Sequence, residues 1–264
     1  MTDLKSKYFT HEYIEEISLI KLNRPPSNSL SVEMMDQLRQ QITQLANDKK
    51  TRAIALSTSI PKYFSSGLDL DEFFHPDPNQ REKLFMSIVD LYREILLCPK
   101  PTIAVISGAA LLGGWIVAMA CDFRYIAEEN GKISLSEVKL GTTPTSIMIS
   151  RLSHMAVNQS LVKDILLTGK TLKAKEAIEG GFADKAVPME TVLAESVALA
   201  KKLSDLPTNA YATIKKSYIE CQMGNLDALI AKSREEFLTA LKTPECIEGF
   251  TAAKEKRRPK FKDI

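Results

Sequence analysis

A carboxylate, Glu137, and the pair Gly113-Gly114 share one stretch of this chain, residues 103–144. The stretch reads as a buried strand, then the two glycines, then an apolar helix ending near Cys121-Asp122, then polar residues up to Glu137. A helix start leaves backbone N–H groups without intrahelical partners, and the helix dipole adds partial positive charge there. Glycine lets a ligand approach that backbone closely. The first half is therefore read as a site for a developing negative charge, and the second half as the source of a base. A second segment, FSSGLDL at residues 64–70, also follows an expected strand and could present another free N–H at Leu68. Two amides aimed at one point make an oxyanion hole, worth roughly 3–4 kcal/mol per donor in a transition state. Each glycine also has a plainer explanation, a tight turn or close packing. Neither segment matches G-x-G-x-x-G or the P-loop, so nucleotide-phosphate binding has little support.

Glu137 lies in KISLSEVKLG, residues 132–141. If extended, the segment would place Glu137 on one face with Ile133 and Leu135, and that face should be buried. Glutamate is more often exposed, so the alternation is what argues for a special position. Trp115 and Ile116 directly follow the glycines and suit core packing. The basic residues 254–262 read as a solvated end that could also meet the phosphates of an anionic ligand.

The elements around these residues are legible from periodicity. Two strands are expected within residues 8–22, a helix from the Ser31 cap to about 47, and a buried strand over 52–57. Residues 75–79 form a proline-containing loop, 80–97 a helix, and 102–107 a strand. Helices follow over 146–154, 157–167 and 173–179, then a short extended segment over 182–187. Helices at 188–203, 209–223, 225–242 and 245–256 complete the chain. Strands and helices mix to about residue 140, and nearly everything beyond is helical. That is an α/β core followed by a helical region.

At 264 residues the chain can bury a sizeable core, most simply as one domain with appended elements. The net charge of +2 creates no chain-wide field to draw nucleic acid or an acidic membrane. Cys98, Cys121, Cys221 and Cys246 lack C-x-x-C spacing and read as mostly buried, reduced thiols. His11, His75 and His154 show no metal-ligand spacing. No run reaches the roughly 18 apolar residues of a membrane span. Residues 1–13 have no secretory core, and the ending KFKDI is not an SKL-type address. A cytoplasmic location is the expectation.

The order and spacing of FSSGLDL, ISGAALLGGWIVAMACDFRYIAEE, SLSEVKLG and KAKEAIEGGFADKAV resemble the enoyl-CoA hydratase/isomerase (crotonase) superfamily along nearly the whole chain. The resemblance implies an α/β fold, a ClpP-like spiral of ββα turns. Residues 1–200 would form the core with the acyl-CoA site, and residues 201–264 a helical trimerisation region. A homotrimer or dimer of trimers is implied. So are an acyl-CoA thioester substrate, no metal, and no cofactor apart from the substrate's own coenzyme A. The family stabilises an enolate with two backbone N–H groups, which fall by position on Leu68 and Gly113. Ser66, Gly67, Asp69, Leu70, Gly114 and Ile116 are the implied substrate contacts. Hydratases of the family carry two catalytic glutamates; Glu137 matches one, and Ile116 stands where the other belongs. Leu112 stands where a third glycine is common. A lone glutamate beside an oxyanion hole resembles the monofunctional 3,2-enoyl-CoA isomerase (dodecenoyl-CoA isomerase) branch. The implied reaction moves a 3-enoyl double bond into conjugation during fatty acid β-oxidation. The alternatives are another acyl-CoA enzyme of this fold, a hydratase or hydrolase, or a non-catalytic acyl-CoA binder.

Overall fold

The alternating segment near the start of the chain folds back on itself: β1 (Phe9–Ile14) and β2 (Ile17–Leu22) pair antiparallel, Phe9 opposite Leu22. The computed structural model describes residues 6–264; residues 1–5, part of the segment read above as lacking a secretory core, lie outside the described residues. Ser31 then caps α1 (Val32–Asn47), its side chain accepting from the Met34 N–H, and the apolar stripe of α1 is buried. The chain continues through β3 (Ala53–Thr58), β4 (Tyr63–Ser65), a single-turn α2 (Leu70–Phe73) and α3 (Pro78–Leu96). The third helix starts earlier than expected because Asp77 caps it and Pro78 occupies its first turn, where a missing N–H costs nothing. Next come β5 (Thr102–Ile106), β6 (Ala109–Leu111), α4 (Gly113–Ala120), β7 (Phe123–Ala127) and β8 (Lys132–Ser134). A 3-10 turn, Glu137–Leu140, leads to α5 (Ser146–Met155), α6 (Gln159–Thr168), β9 (Leu172–Lys173), α7 (Ala174–Glu179) and β10 (Lys185–Val187). The remaining elements are helices: α8 (Val192–Ser204), α9 (Thr208–Met223), α10 (Leu226–Ala240) and α11 (Pro244–Lys254).

The strands form two sheets, one ordered β1-β2-β3-β5-β7-β10 and one ordered β4-β6-β8-β9. In the first, every pair after the opening hairpin is parallel. Its side chains alternate between two cores: Ile17, Leu19, Ala53, Ala55, Ile103 and Val105 meet Val192 and Ala200 of α8. Ile20, Leu22, Ile54, Leu56, Ala104 and Ile106 face α1 and α3 on the other side. A parallel sheet covered on both faces explains why these strands read as continuous apolar runs. β7 escaped the sequence reading because Arg124 interrupts its apolar pattern. That arginine is buried, donating to the backbone oxygens of Phe182 (2.9 Å), Cys121 (2.6 Å) and Asp122 (3.1 Å) and pairing with Asp184 at 3.1 Å.

The second sheet positions the site. β4, β6 and β8 are parallel neighbours, Ser65 beside Ala110 and Leu111 beside Ser134. Leu68, Gly113 and Glu137 each follow one of these strands within three residues of its end. Three segments far apart in sequence therefore emerge together at the carboxyl ends of adjacent parallel strands, the usual place for a ligand site in such sheets.

Candidate active site

The Leu68 amide is aimed by a short bridge to Leu30. Leu30 N–H donates to Gly67 O at 2.8 Å, and Asp69 N–H donates to Leu30 O at 3.0 Å. Along extended backbone, successive N–H groups point to opposite sides. With Asp69 N–H turned toward Leu30, the Leu68 N–H faces away from Leu30. Gly67 makes this possible at φ +100; a Cβ there would stand 2.9 Å from Leu112 Cβ.

Gly113 opens α4, so its N–H has no intrahelical partner. A Cβ on Gly113 would lie 3.4 Å from the Leu68 nitrogen, which makes the two amides neighbours. Neither donates a hydrogen bond among the described residues. Gly114 is constrained by packing: a Cβ there would be 2.3 Å from Ser65 O, so α4 touches the end of β4 backbone to backbone. Leu112 settles the turn by adopting a glycine-type conformation, φ 51 and ψ −124. Its N–H is held by Ser134 O at 2.8 Å, which offsets a strain of about 1–3 kcal/mol for a side-chain-bearing residue there.

Glu137 does not lie on a strand. β8 stops at Ser134, and Glu137 begins the 3-10 turn, correcting the expected extended segment. The expected burial is present, with Ile133, Leu135 and Glu137 all buried and Glu137 only 6% exposed. Its Oε2 has no hydrogen-bond partner. Burial away from water disfavours the charged form and pushes the carboxyl up to about 8, opposed only by a hydrogen bond from its own backbone amide.

Leu68, Gly113 and Glu137 line one cavity of about 600 Å³, together with Ser66, Asp69, Leu70, Leu112 and Ile116. Of the implied contacts, Gly67 and Gly114 shape its wall from behind. Trp115 is wholly buried and does not line it. Of the three acidic side chains on the cavity wall, Asp71 is exposed and pairs with Lys254 at 3.3 Å, whereas Asp69 is tied to Arg24 at 2.5 Å. Glu137 is the one with an unpartnered oxygen. Sequence reasoning missed the far wall: Phe85 and Ile88 of α3, Phe237 of α10 and Phe250 of α11. Phe85 and Phe237 meet edge to face at 5.0 Å, and Phe73 stacks on Phe250 at 3.9 Å. Phe85, Ile88, Phe237 and Phe250 lie on helices that the sequence reading located without assigning these side chains to a cavity, and the fold makes their packed faces one side of one. Lys254 and Lys256, from the basic tail, also line the cavity, as do Ser27 and Ser29. Arg257 is turned away, bound to Glu248 at 2.5 Å. A wider hollow of about 790 Å³ between α11 and the tail is lined by none of Leu68, Gly113 and Glu137.

A carboxyl of raised pKa with one unpartnered oxygen, sharing a cavity with two free amides, has the chemistry to move a proton while the amides hold an oxyanion. The family described as enoyl-CoA hydratase/isomerase matches residues 12–264. A probable enoyl-CoA hydratase of Mycobacterium bovis is 30% identical over 248 residues, covering 94% of this chain and 95% of that protein. A putative enoyl-CoA hydratase of Thermus thermophilus is 31% identical over 251 residues, covering 93% and 97%. Among solved structures, an enoyl-CoA hydratase from Mycobacterium avium subsp. paratuberculosis K-10 superimposes with a TM-score of 0.84 at 26% identity, covering 97% of this chain and 99% of that one. Human mitochondrial delta3-delta2-enoyl-CoA isomerase superimposes with a TM-score of 0.88 at 23% identity, covering 95% and 98%, a likeness of fold. The two-sheet α/β architecture with its C-terminal helices is that of these structures. Among the described residues, no helix is long and apolar enough to cross a membrane.

Proposed function

Because the chain belongs to the enoyl-CoA hydratase/isomerase family, we propose that it is a 3,2-enoyl-CoA isomerase that works with one glutamate. The thioester carbonyl of a 3-enoyl-CoA accepts hydrogen bonds from the Leu68 and Gly113 N–H groups. Glu137 takes a proton from C2, and the resulting dienolate oxygen is held by the two amides. Glu137 then returns the proton at C4, and the double bond comes to rest between C2 and C3. A raised carboxyl is a stronger base than an ordinary one, which suits abstraction from carbon. Lys254 and Lys256 line the same cavity, and their charge suits the phosphates of the coenzyme A portion.

The observation that supports isomerisation over hydration is Ile116. It is buried on the cavity wall, 3% exposed. Syn-addition of water needs a water held and activated between two carboxylates, and isoleucine can do neither. The names of the M. bovis and T. thermophilus relatives favour the second reading, a hydratase. One experiment separates the two: 3-enoyl-CoA of several chain lengths is incubated with the protein while the conjugated product is followed, beside crotonyl-CoA hydration. Isomerisation that is lost in Glu137→Gln, with slow hydration, supports the proposal. Rapid hydration without isomerisation overturns it.

A further inference from the structure

Asp69 sets a buried carboxylate one residue from an amide meant to hold another negative charge. Its side chain is 9% exposed and lines the same cavity. One oxygen accepts from the Asp71 N–H at 2.9 Å and the Glu72 N–H at 3.2 Å, closing the start of α2. The other accepts from Ser29 Oγ at 3.0 Å and from Arg24 Nη1 at 2.5 Å. The Arg24 pairing and these hydrogen bonds together hold the carboxyl below its ordinary value despite burial, so it is charged. A bare carboxylate there would oppose an oxyanion at Leu68 through poorly screened space.

Arg24 is fixed in turn. Its N–H donates to Asn28 Oδ1 at 2.7 Å and its carbonyl accepts from Asn28 N–H at 2.8 Å. Its guanidinium also donates to Ser29 O at 2.9 Å, one residue before the Leu30 that grips Gly67 and Asp69. One side chain thus ties both strands of the bridge that aims the Leu68 amide.

We propose that Arg24 is a positioning residue for the oxyanion hole: it cancels the charge of Asp69 and pins the bridge that aims Leu68 N–H into the cavity. This rests on the reading of Leu68 and Gly113 as oxyanion donors. Three variants test it: Arg24→Met, Arg24→Lys, and the double variant Arg24→Met/Asp69→Asn. Asparagine keeps the helix cap and loses the charge.

Two readouts are taken. The first is kcat and KM on a 3-enoyl-CoA. Arg24→Met lowers kcat about tenfold to a hundredfold and raises KM by no more than the lost thioester preference, Arg24→Lys recovers most of the loss in kcat, and the double variant is faster than Arg24→Met. The second does not depend on turnover. It is the affinity for a saturated acyl-CoA relative to its S-alkyl thioether analogue, which lacks the carbonyl. Wild type prefers the thioester, and Arg24→Met loses most of that preference.

A rise in KM with kcat unchanged would make Arg24 a plain substrate contact and overturn the proposal. A double variant as slow as Arg24→Met would leave only a structural role and overturn it too. If wild type fails to isomerise yet shows a thioester preference that Arg24→Met abolishes, the isomerase reading falls and this inference stands. If wild type shows no thioester preference, the donor assignment and this inference fall together.

Discussion

Replacing Glu137 with glutamine tests the burial argument without any substrate. In the folded protein the carboxyl is raised from its ordinary 4.5 to about 8. Folding therefore binds a proton between those values, and stability falls as pH rises through that window. Below about pH 4.5 both states are protonated and the group contributes no penalty. Above about 8 both are ionised, and the full cost of holding a buried anion is present. At 1.36 kcal/mol per pH unit, that gap amounts to about 5 kcal/mol above pH 8 and about 3 kcal/mol at pH 7. Glutamine has nearly the same shape and no charge. Its amide brings a fixed desolvation cost that does not vary with pH. The stability difference, Glu137→Gln minus wild type, should therefore climb by several kcal/mol between pH 5 and pH 9, to the variant's advantage. Urea unfolding of both proteins without ligand at pH 5, 7 and 9 measures it. A difference that stays flat across this range would mean that Glu137 ionises as it does in water, and the desolvation account of the site would be wrong.

Three more outcomes follow from the same geometry. Under the proposed mechanism, kcat/KM on a 3-enoyl-CoA should rise with pH through 8 and level off about a unit above it, since about a tenth of the Glu137 carboxyl is ionised at pH 7; a profile flat down to pH 6 would contradict this. Gly114→Ala should fail to fold or lose most of its stability, because its new carbon would stand 2.3 Å from Ser65 O; an unchanged melting temperature would refute that contact. Lys215→Met should cost about 3–5 kcal/mol in chemical unfolding, since buried Lys215 pairs with Asp122 at 2.9 Å and its loss leaves that carboxylate without its countercharge, held only by the Thr102 N–H and hydroxyl and by Tyr211; a loss below 1 kcal/mol would show the pair to be dispensable.

Much of the scaffold was legible because its signals are local. Ser31 and a clean apolar stripe marked α1, and alternation marked β1 and β2. The same logic failed where one residue answered to distant partners. β7 was missed because Arg124 looks like a surface residue until Asp184 and three carbonyls surround it. The reason Glu137 was expected to be buried, an extended segment, was also incorrect. Its burial comes from a 3-10 turn, which no alternation rule describes.

By itself the sequence determined which groups are available: two glycine-containing segments able to leave amides open, Glu137 downstream of them, and an isoleucine directly after Trp115. Those are matters of residue type and of spacing within short segments. Only the tertiary structure decided that Leu68, Gly113 and Glu137 share a cavity, because that follows from β4, β6 and β8 lying side by side. Strand adjacency is set by long-range packing of both sheet faces. It also decided the basicity of Glu137, since desolvation belongs to the surroundings of a carboxyl group and is not written in the residue.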